Sequence, residues 1–226
     1  MCGIAGIFSL SGKPVPNIER ALGVMNRLIA HRGPDGEGVW VSPDNSTGLA
    51  HRRLSIIDLS DVAAQPMVGP NGTVLTYNGE TYNYRELHKS LSPFWSFRTH
   101  SDTEAILAAH AKYGAECVNH MRGMFAFALV DTKKRTLFAA RDRFGIKPFY
   151  YLVVGDVFYF ASEAKALLPF VPEIETDKQC LAEYFMFQYS TGEDSLFSGI
   201  KKLLPAHTLS IENGKVSVRR YWDVTY

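Results

Sequence analysis

The chain has few of the features that mark common alternatives to a globular enzyme domain. Its 226 residues hold three cysteines, Cys2, Cys117 and Cys180, with no CxxC spacing. That excludes a disulfide framework and a zinc knuckle and fits a reducing, cytoplasmic setting. The seven histidines show no HExxH or paired metal spacing, so they read as structural or solvated. No apolar run is long enough to span a bilayer. The N-terminus lacks a basic region followed by an apolar stretch, so no secretion leader is expected to mask the second residue. Neither sign of charge dominates: 24 Lys and Arg stand against 23 Asp and Glu, a net charge of +1. No global field therefore favours nucleic acid or an anionic membrane. Internal repeats and low-complexity tracts are also missing. What remains is 46% hydrophobic and 21% charged, ordinary for a soluble globular protein with a substantial core.

The chain begins Met1-Cys2-Gly3. Removal of Met1 would leave a thiol and a free α-amine on the same residue. Their ordinary pKa values, about 8.5 for the thiol and about 7.7–8.0 for the amine, are close enough for useful proton exchange. A nucleophile then carries its own general base. Cys117 and Cys180 lie in apolar, helical-looking contexts and read as buried bystanders.

Along the chain, residues 3–8 read as a buried strand and 18–30 as a helix with Asn17 as its N-cap. Strands are expected at 37–42, 48–52 and 73–78, and helices at 83–90, 102–113, 163–168 and 178–187. Asp102 and Thr103 are placed to cap the second of these helices. Hairpins are expected at 124–130 with 136–140, at 149–153 with 157–161, and at 207–212 with 215–219 around Asn213-Gly214. Hairpins and short helices alternate without regular βαβ units. That pattern predicts an α+β fold of antiparallel sheets with helices packed outside.

Three polar islands end the apolar strands. The first runs from His51 to Asp58, where an Arg is either a bidentate partner for a carboxylate or a solvated strand end. The second is Tyr77-Asn78-Gly79-Glu80-Thr81-Tyr82-Asn83. Asn78 and the Gly79 N–H form either a two-donor oxyanion hole or an ordinary Asn-Gly turn. The third is His100 to Glu104, where Asp102 holds a ligand ammonium or caps its helix.

Together with Cys2, these islands carry a family resemblance. MCGIAGIF, HRGPDGEG at 31–38, HRRLSIIDLS at 51–60, QPM at 65–67, YNGETYNY at 77–84 and SDTEAIL at 101–107 occur in order. GMFAFALVD at 123–131, RDRFGIKPFYY at 141–151, ASEAKALL at 161–168, GIKKLLPAHTL at 199–209 and RRYWD at 219–223 complete the set. The chain resembles, over nearly all its length, the glutaminase domain of glutamine-dependent asparagine synthetases. That domain is a class II glutamine amidotransferase of the N-terminal nucleophile (Ntn) hydrolase superfamily.

The resemblance implies a four-layer αββα sandwich with two mostly antiparallel sheets. It implies L-glutamine as substrate and Cys2 as nucleophile, with its own amine as base. Asn78 and Gly79 would form the oxyanion hole, and Arg53 would anchor the α-carboxylate. The stretch Arg53, Leu54, Ser55, Ile56 and Ile57 would line the pocket. Glu80 and Asp102 would receive the α-ammonium, and Arg32 and Gly33 would support the loop that closes over it. The product ammonia would serve an ATP-dependent synthetase domain or subunit. No cofactor is expected in this chain itself; ATP and Mg belong to that second domain. The partner set includes no nucleic acid and no membrane and allows a homo-oligomer.

The second domain's SGGxDS phosphate loop does not occur here. Residues 1–226 are expected to be one amidotransferase domain, with about 190–226 as a bridge toward the synthetase part. The chain is then an amino-terminal portion of a larger enzyme, or else a stand-alone glutaminase. Ala206 and Thr81 depart from the family's usual Gly and Ile, and Thr81 is expected to alter pocket packing. Two rival readings are a non-catalytic scaffold that keeps the fold and an Ntn acylase for apolar amides. Retention of Cys2, Arg53, Asn78, Gly79 and Asp102 opposes the first, and the predicted doubly charged pocket opposes the second.

Overall fold

The computed structural model describes residues 1–57 and 61–225. Asp58, Leu59 and Ser60, which end the first polar island and the 51–60 string, lie outside the described residues, as does Tyr226. The first sheet contains β1 (Gly3–Ser9), β2 (Gly36–Val41), β3 (Thr47–Arg53), β8 (Tyr150–Val154), β9 (Val157–Ala161) and β10 (Lys201–Lys202). The second contains β4 (Met67–Val68), β5 (Thr73–Thr81), β6 (Gly123–Asp131), β7 (Thr136–Arg141), β11 (His207–Glu212) and β12 (Lys215–Arg220). Their orders are β10-β8-β9-β1-β3-β2 and β12-β11-β7-β6-β5-β4. Every pairing between these strands is antiparallel. The helices are α1 (Ile18–Leu28), α2 (Tyr84–Leu91), α3 (Asp102–Tyr113), α4 (Cys117–His120) and α5 (Lys178–Phe187). None of the described helices is long and apolar enough to cross a membrane.

Strand periodicity builds the layers. In β1, Ile4 and Phe8 join the core between the sheets, while Ala5 and Ile7 join the core under α1. In β6, Ala126, Ala128 and Val130 face the first sheet. Phe125, Phe127 and Leu129 face the cluster that holds residues of α2 and α3. Both central strands are buried on both faces, so they read as near-continuous apolar runs. Helix α1 presents Ile18, Leu22 and Met25, one stripe at helical spacing, to the first sheet. The result is an α+β fold of two antiparallel six-stranded sheets flanked by helices.

Two local expectations differ, the Asn-Gly alternative at 78–79 is decided, and the hairpin expected at 207–219 forms. Asn17 is left-handed at φ 55° and its side chain caps nothing. Ser101, not Asp102, caps α3, its Oγ accepting from Thr103 N–H at 3.1 Å. Asn78 and Gly79 are no turn: they sit inside β5, opposite Ala126 and Phe125. Residues past 190 supply β10, β11 and β12, and put Leu203, Leu209 and Ile211 into the inter-sheet core.

Packing is close at Gly6, opposite Phe160 on the neighbouring strand. A Cβ there would lie 2.3 Å from the Phe160 ring, which packs in turn on Phe149 and Phe158. Overpacking of this kind costs about 1–3 kcal/mol. Gly6→Ala is therefore expected to lower the free energy of unfolding in thermal or denaturant melts by that amount. An unchanged transition would show that the aromatic layer yields freely.

Candidate active site

Parity along three strands delivers the chemistry to one place. Cys2 precedes β1 in phase with Ile4 and Phe8; Arg53 ends β3 in phase with Leu49; Asn78 and Glu80 follow Val74 along β5. All of these positions face the space between the sheets. At the end of that space lies a cavity of about 190 Å³. Cys2, Arg53, Leu54, Ser55, Ile56, Ile57, Asn78, Gly79, Glu80 and Asp102 all line it. Drug-sized ligands usually occupy pockets of about 300–1,000 Å³, so this one suits something smaller. Arg32 and Gly33 do not line it and sit behind it.

The Cys2 thiol lies against Leu54, accepting from its N–H at 3.4 Å and donating to its carbonyl at 3.5 Å. Burial pushes this thiol up, while the Leu54 N–H, the chain-terminal amine and Arg53 pull the other way. Resting Cys2 is thus a protonated thiol in need of a base. Its carbonyl accepts from Arg32 Nε at 2.9 Å, and Arg32 Nη1 bonds Glu163 at 2.9 Å. Burial alone would raise the Glu163 carboxyl, but Arg32, His31 and Lys165 outweigh it and hold the group at about 2. Gly33 N–H closes on the Ala30 carbonyl at 3.2 Å, ending the short turn that aims Arg32.

Asn78 is 1% exposed, and its Nδ2 has no hydrogen-bond partner among the described residues. A buried unmet donor costs about 1–3 kcal/mol, so such a group calls for a ligand or some other explanation. Gly79 N–H is a second donor by strand geometry. Tyr77 and Thr81, two residues to either side, point their N–H groups to the same edge of β5. Tyr77 N–H is taken by Gln65 Oε1 at 2.7 Å and Thr81 N–H by Asp102 Oδ2 at 3.0 Å. Opposite Gly79, the Phe125 N–H and carbonyl are both used by Asp142. The Gly79 N–H thus opens on the cavity. A Cβ at Gly79 would lie 2.3 Å from the Met124 carbonyl, so glycine is required here by the neighbouring strand.

Asp102 is 5% exposed at the first turn of α3, and its Oδ2 also accepts from Tyr77 OH at 2.8 Å. Burial raises its pKa; the Thr81 N–H and Tyr77 OH offset part of that. A cation beside it would offset the rest. His51, between the sheets, bonds the Tyr77 carbonyl at 3.1 Å, and burial pushes it down to about 4, so it is neutral.

Sequence reasoning gave no role to Tyr77, Gln65 and Lys147, which also line the cavity. Gln65 ties β5 to α3 through Tyr77 N–H and Thr103 Oγ1. The one available signal was a polar or charged residue inside each quoted motif.

Exposure ranks the thiols. Cys2 is half-buried, whereas Cys117 is buried and its thiol is pushed up to about 12. At pH 8 an alkylating reagent should label Cys2 first, faster as pH rises, and reach Cys117 only on unfolding. Equal labelling of both in the folded protein, by peptide mass spectrometry, would contradict this ranking.

A model of the glutamine amidotransferase domain matches residues 1–222. Over 230 residues the chain is 37% identical to asparagine synthetase [glutamine-hydrolyzing] 1 of Bacillus subtilis, covering 100% of this chain and 36% of that protein. It is 36% identical to the amidase chry2 of Gibberella zeae, covering 100% of this chain and 35% of the relative. The chain thus spans about a third of the length of these relatives. Among solved structures, the glutamine phosphoribosylpyrophosphate amidotransferase of B. subtilis superposes with a TM-score of 0.71 at 17% identity. That match covers 98% of this chain and 49% of the other, and shows the shared fold. The chain belongs to the glutamine amidotransferase domain family, as an N-terminal class II domain of Ntn-hydrolase type related to the glutamine-hydrolysing asparagine synthetases.

Proposed function

We propose that this chain hydrolyses L-glutamine to glutamate and ammonia through a thioester on Cys2. One observation carries the reading: a thiol and an unpartnered amide donor, Asn78 Nδ2, share one small cavity bounded by Arg53 and Asp102. With Met1 removed, the Cys2 amine takes the thiol proton. The sulfur attacks the side-chain carboxamide carbon, and the oxygen gains charge between Asn78 Nδ2 and Gly79 N–H. The amine returns its proton to the nitrogen as the C–N bond breaks and ammonia leaves. Water then cleaves the thioester, giving glutamate and restoring the thiol.

Substrate selection follows from charge at both ends. Arg53 takes the α-carboxylate, and Asp102 and Glu80 take the α-ammonium, while the 54–57 segment walls the side. Amides lacking the α-ammonium would leave the buried Asp102 carboxylate without a counter-charge, which is unfavourable. Arg32 and Gly33 act at second hand, fixing the Cys2 carbonyl. The whole chain serves as one amidotransferase domain, its stretch from about 190 completing the sheets and leading toward a synthetase domain or subunit. There ATP and Mg would activate the acceptor, and the ammonia would form asparagine. The 37% identity to a glutamine-hydrolysing asparagine synthetase over the full chain supports that pairing. A cytoplasmic setting suits an unmasked N-terminal thiol.

Glutamate release from glutamine, compared with release from an acyl amide lacking α-groups, tests the proposal. Faster turnover of the acyl amide would overturn it. Cys2→Ala should abolish hydrolysis and keep glutamine binding by calorimetry; sustained turnover would refute the nucleophile. Asn78→Ala should lower kcat by about 10²–10³ with little change in KM, since the donor acts mainly on the transition state. Tyr77→Phe should instead raise KM, because it frees Asp102 from its tether; an effect confined to kcat would place Tyr77 at the reacting carbon.

A further inference from the structure

Lys147 is 5% exposed and lines the same cavity. Its ammonium touches the Met1 thioether at 3.2 Å, and no described carboxylate forms a salt bridge with it. Buried lysines are almost always paired, and a thioether is a weak acceptor. The position is not left to chance. Asp142 accepts from the N–H groups of Phe144, Ile146 and Lys147 at 3.0–3.1 Å. Arg141 bonds the Lys147 carbonyl at 2.8 Å, the Gly145 carbonyl at 2.7 Å and the Leu203 carbonyl at 2.6 Å. Half-buried Arg141 and buried Asp142 thereby hold one ammonium against the residue that precedes Cys2.

We propose that Lys147 is a positioning residue for the catalytic base, keeping the freed Cys2 amine unprotonated at neutral pH by like-charge proximity. The inference rests on the reading of Cys2 as an N-terminal nucleophile. Other charged groups lie around Cys2. Arg53 comes from β3 and Arg32 from the turn after α1, the latter already neutralised by Glu163. Glu80 comes from β5 and Asp102 from α3, with the Tyr77 hydroxyl beside it. The two carboxylates favour a protonated amine, which is useless as a base. Bound glutamine, a zwitterion, pairs with Arg53 at one end and with these carboxylates at the other. Lys147 is the charge that substrate does not match, so its effect on the amine persists in the complex.

The test is the pH profile of kcat/KM for glutamine with mature wild-type protein, Lys147→Met and Lys147→Arg. Loss of the charge raises the amine pKa, so the acid limb for Lys147→Met should move up by about one unit. Turnover then falls about tenfold below the limb and recovers above it, and Lys147→Arg keeps the wild-type limb. The pH dependence of α-amine acylation at Cys2, read by mass spectrometry of the N-terminal peptide, should shift with it. An unmoved limb and amine, or an equal fall at every pH, overturns the proposal. Should Lys147→Met not fold, Lys147→Gln takes its place in both measurements. If wild-type protein hydrolyses no glutamine, the glutaminase reading fails by itself, and the acylation profile still decides what Lys147 does.

Discussion

Residues two apart on a strand point to the same face, and three strands of this protein leave the sandwich in phase. Cys2 before β1, Arg53 at the end of β3, and Asn78 in β5 all point between the sheets at one end. Shifting any of these strands by one residue would send its group into a helix-packed core instead. The site therefore depends on register, and register depends on the paired apolar faces of β1 and β6. Tight packing at Gly6 against Phe160 and at Gly79 against Met124 pins both sheets close to the cavity. The catalytic geometry comes from the rigid part of the molecule, where small misplacements are resisted by packing.

The site holds unmet charge and unmet hydrogen-bonding capacity before any ligand arrives. Among the described residues, Asn78 Nδ2 is buried without an acceptor, Asp102 is a carboxylate that burial pushes up, and the Lys147 ammonium meets only a thioether. Each is unfavourable by itself, and the folded sheets must hold them against that tendency. Such groups need no reorganisation when charge develops on the substrate, which makes them effective in a small water-poor space. The cavity wall offers a carboxylate at Asp102 and an unmet N–H donor at Asn78. Neither feature suits a purely apolar acyl group.

Much of this was legible in the sequence. Apolar periodicity located the central strands, and the Met-Cys start pointed to a thiol that lines the cavity, because both are local properties. The readings that stayed open concerned groups whose partners are distant in sequence. Asn78-Gly79 carries a strong turn signal, yet pairing with Ala126 and Phe125 overrides it and keeps β5 extended through Thr81. Asp102 looked like a cap, but Ser101 performs that task and leaves the Asp102 carboxylate to Tyr77 and Thr81, more than twenty residues away. Gln65 and Lys147 gave no readable signal beyond their polarity. Their roles come from the meeting of α3, β5 and the Arg141–Asp142 loop, which no window of residues contains.

Thr81 shows how a departure from a family pattern can be absorbed by the chemistry it adjoins. The sequence suggested only altered packing at this fully buried position. Its hydroxyl lies 3.2 Å from Tyr77 OH, and Tyr77 gives its single proton to Asp102. The Thr81 hydroxyl must then be the donor to the Tyr77 oxygen. Two hydroxyls in series, with the Thr81 N–H beside them, hold a single oxygen of Asp102. The proton order runs from Thr81 to Tyr77 to the carboxylate, and each donation strengthens the next. A branched apolar side chain at 81 would fill the same space but would leave Tyr77 oriented by Asp102 alone. The substitution therefore exchanges packing for orientation of a carboxylate in the cavity wall.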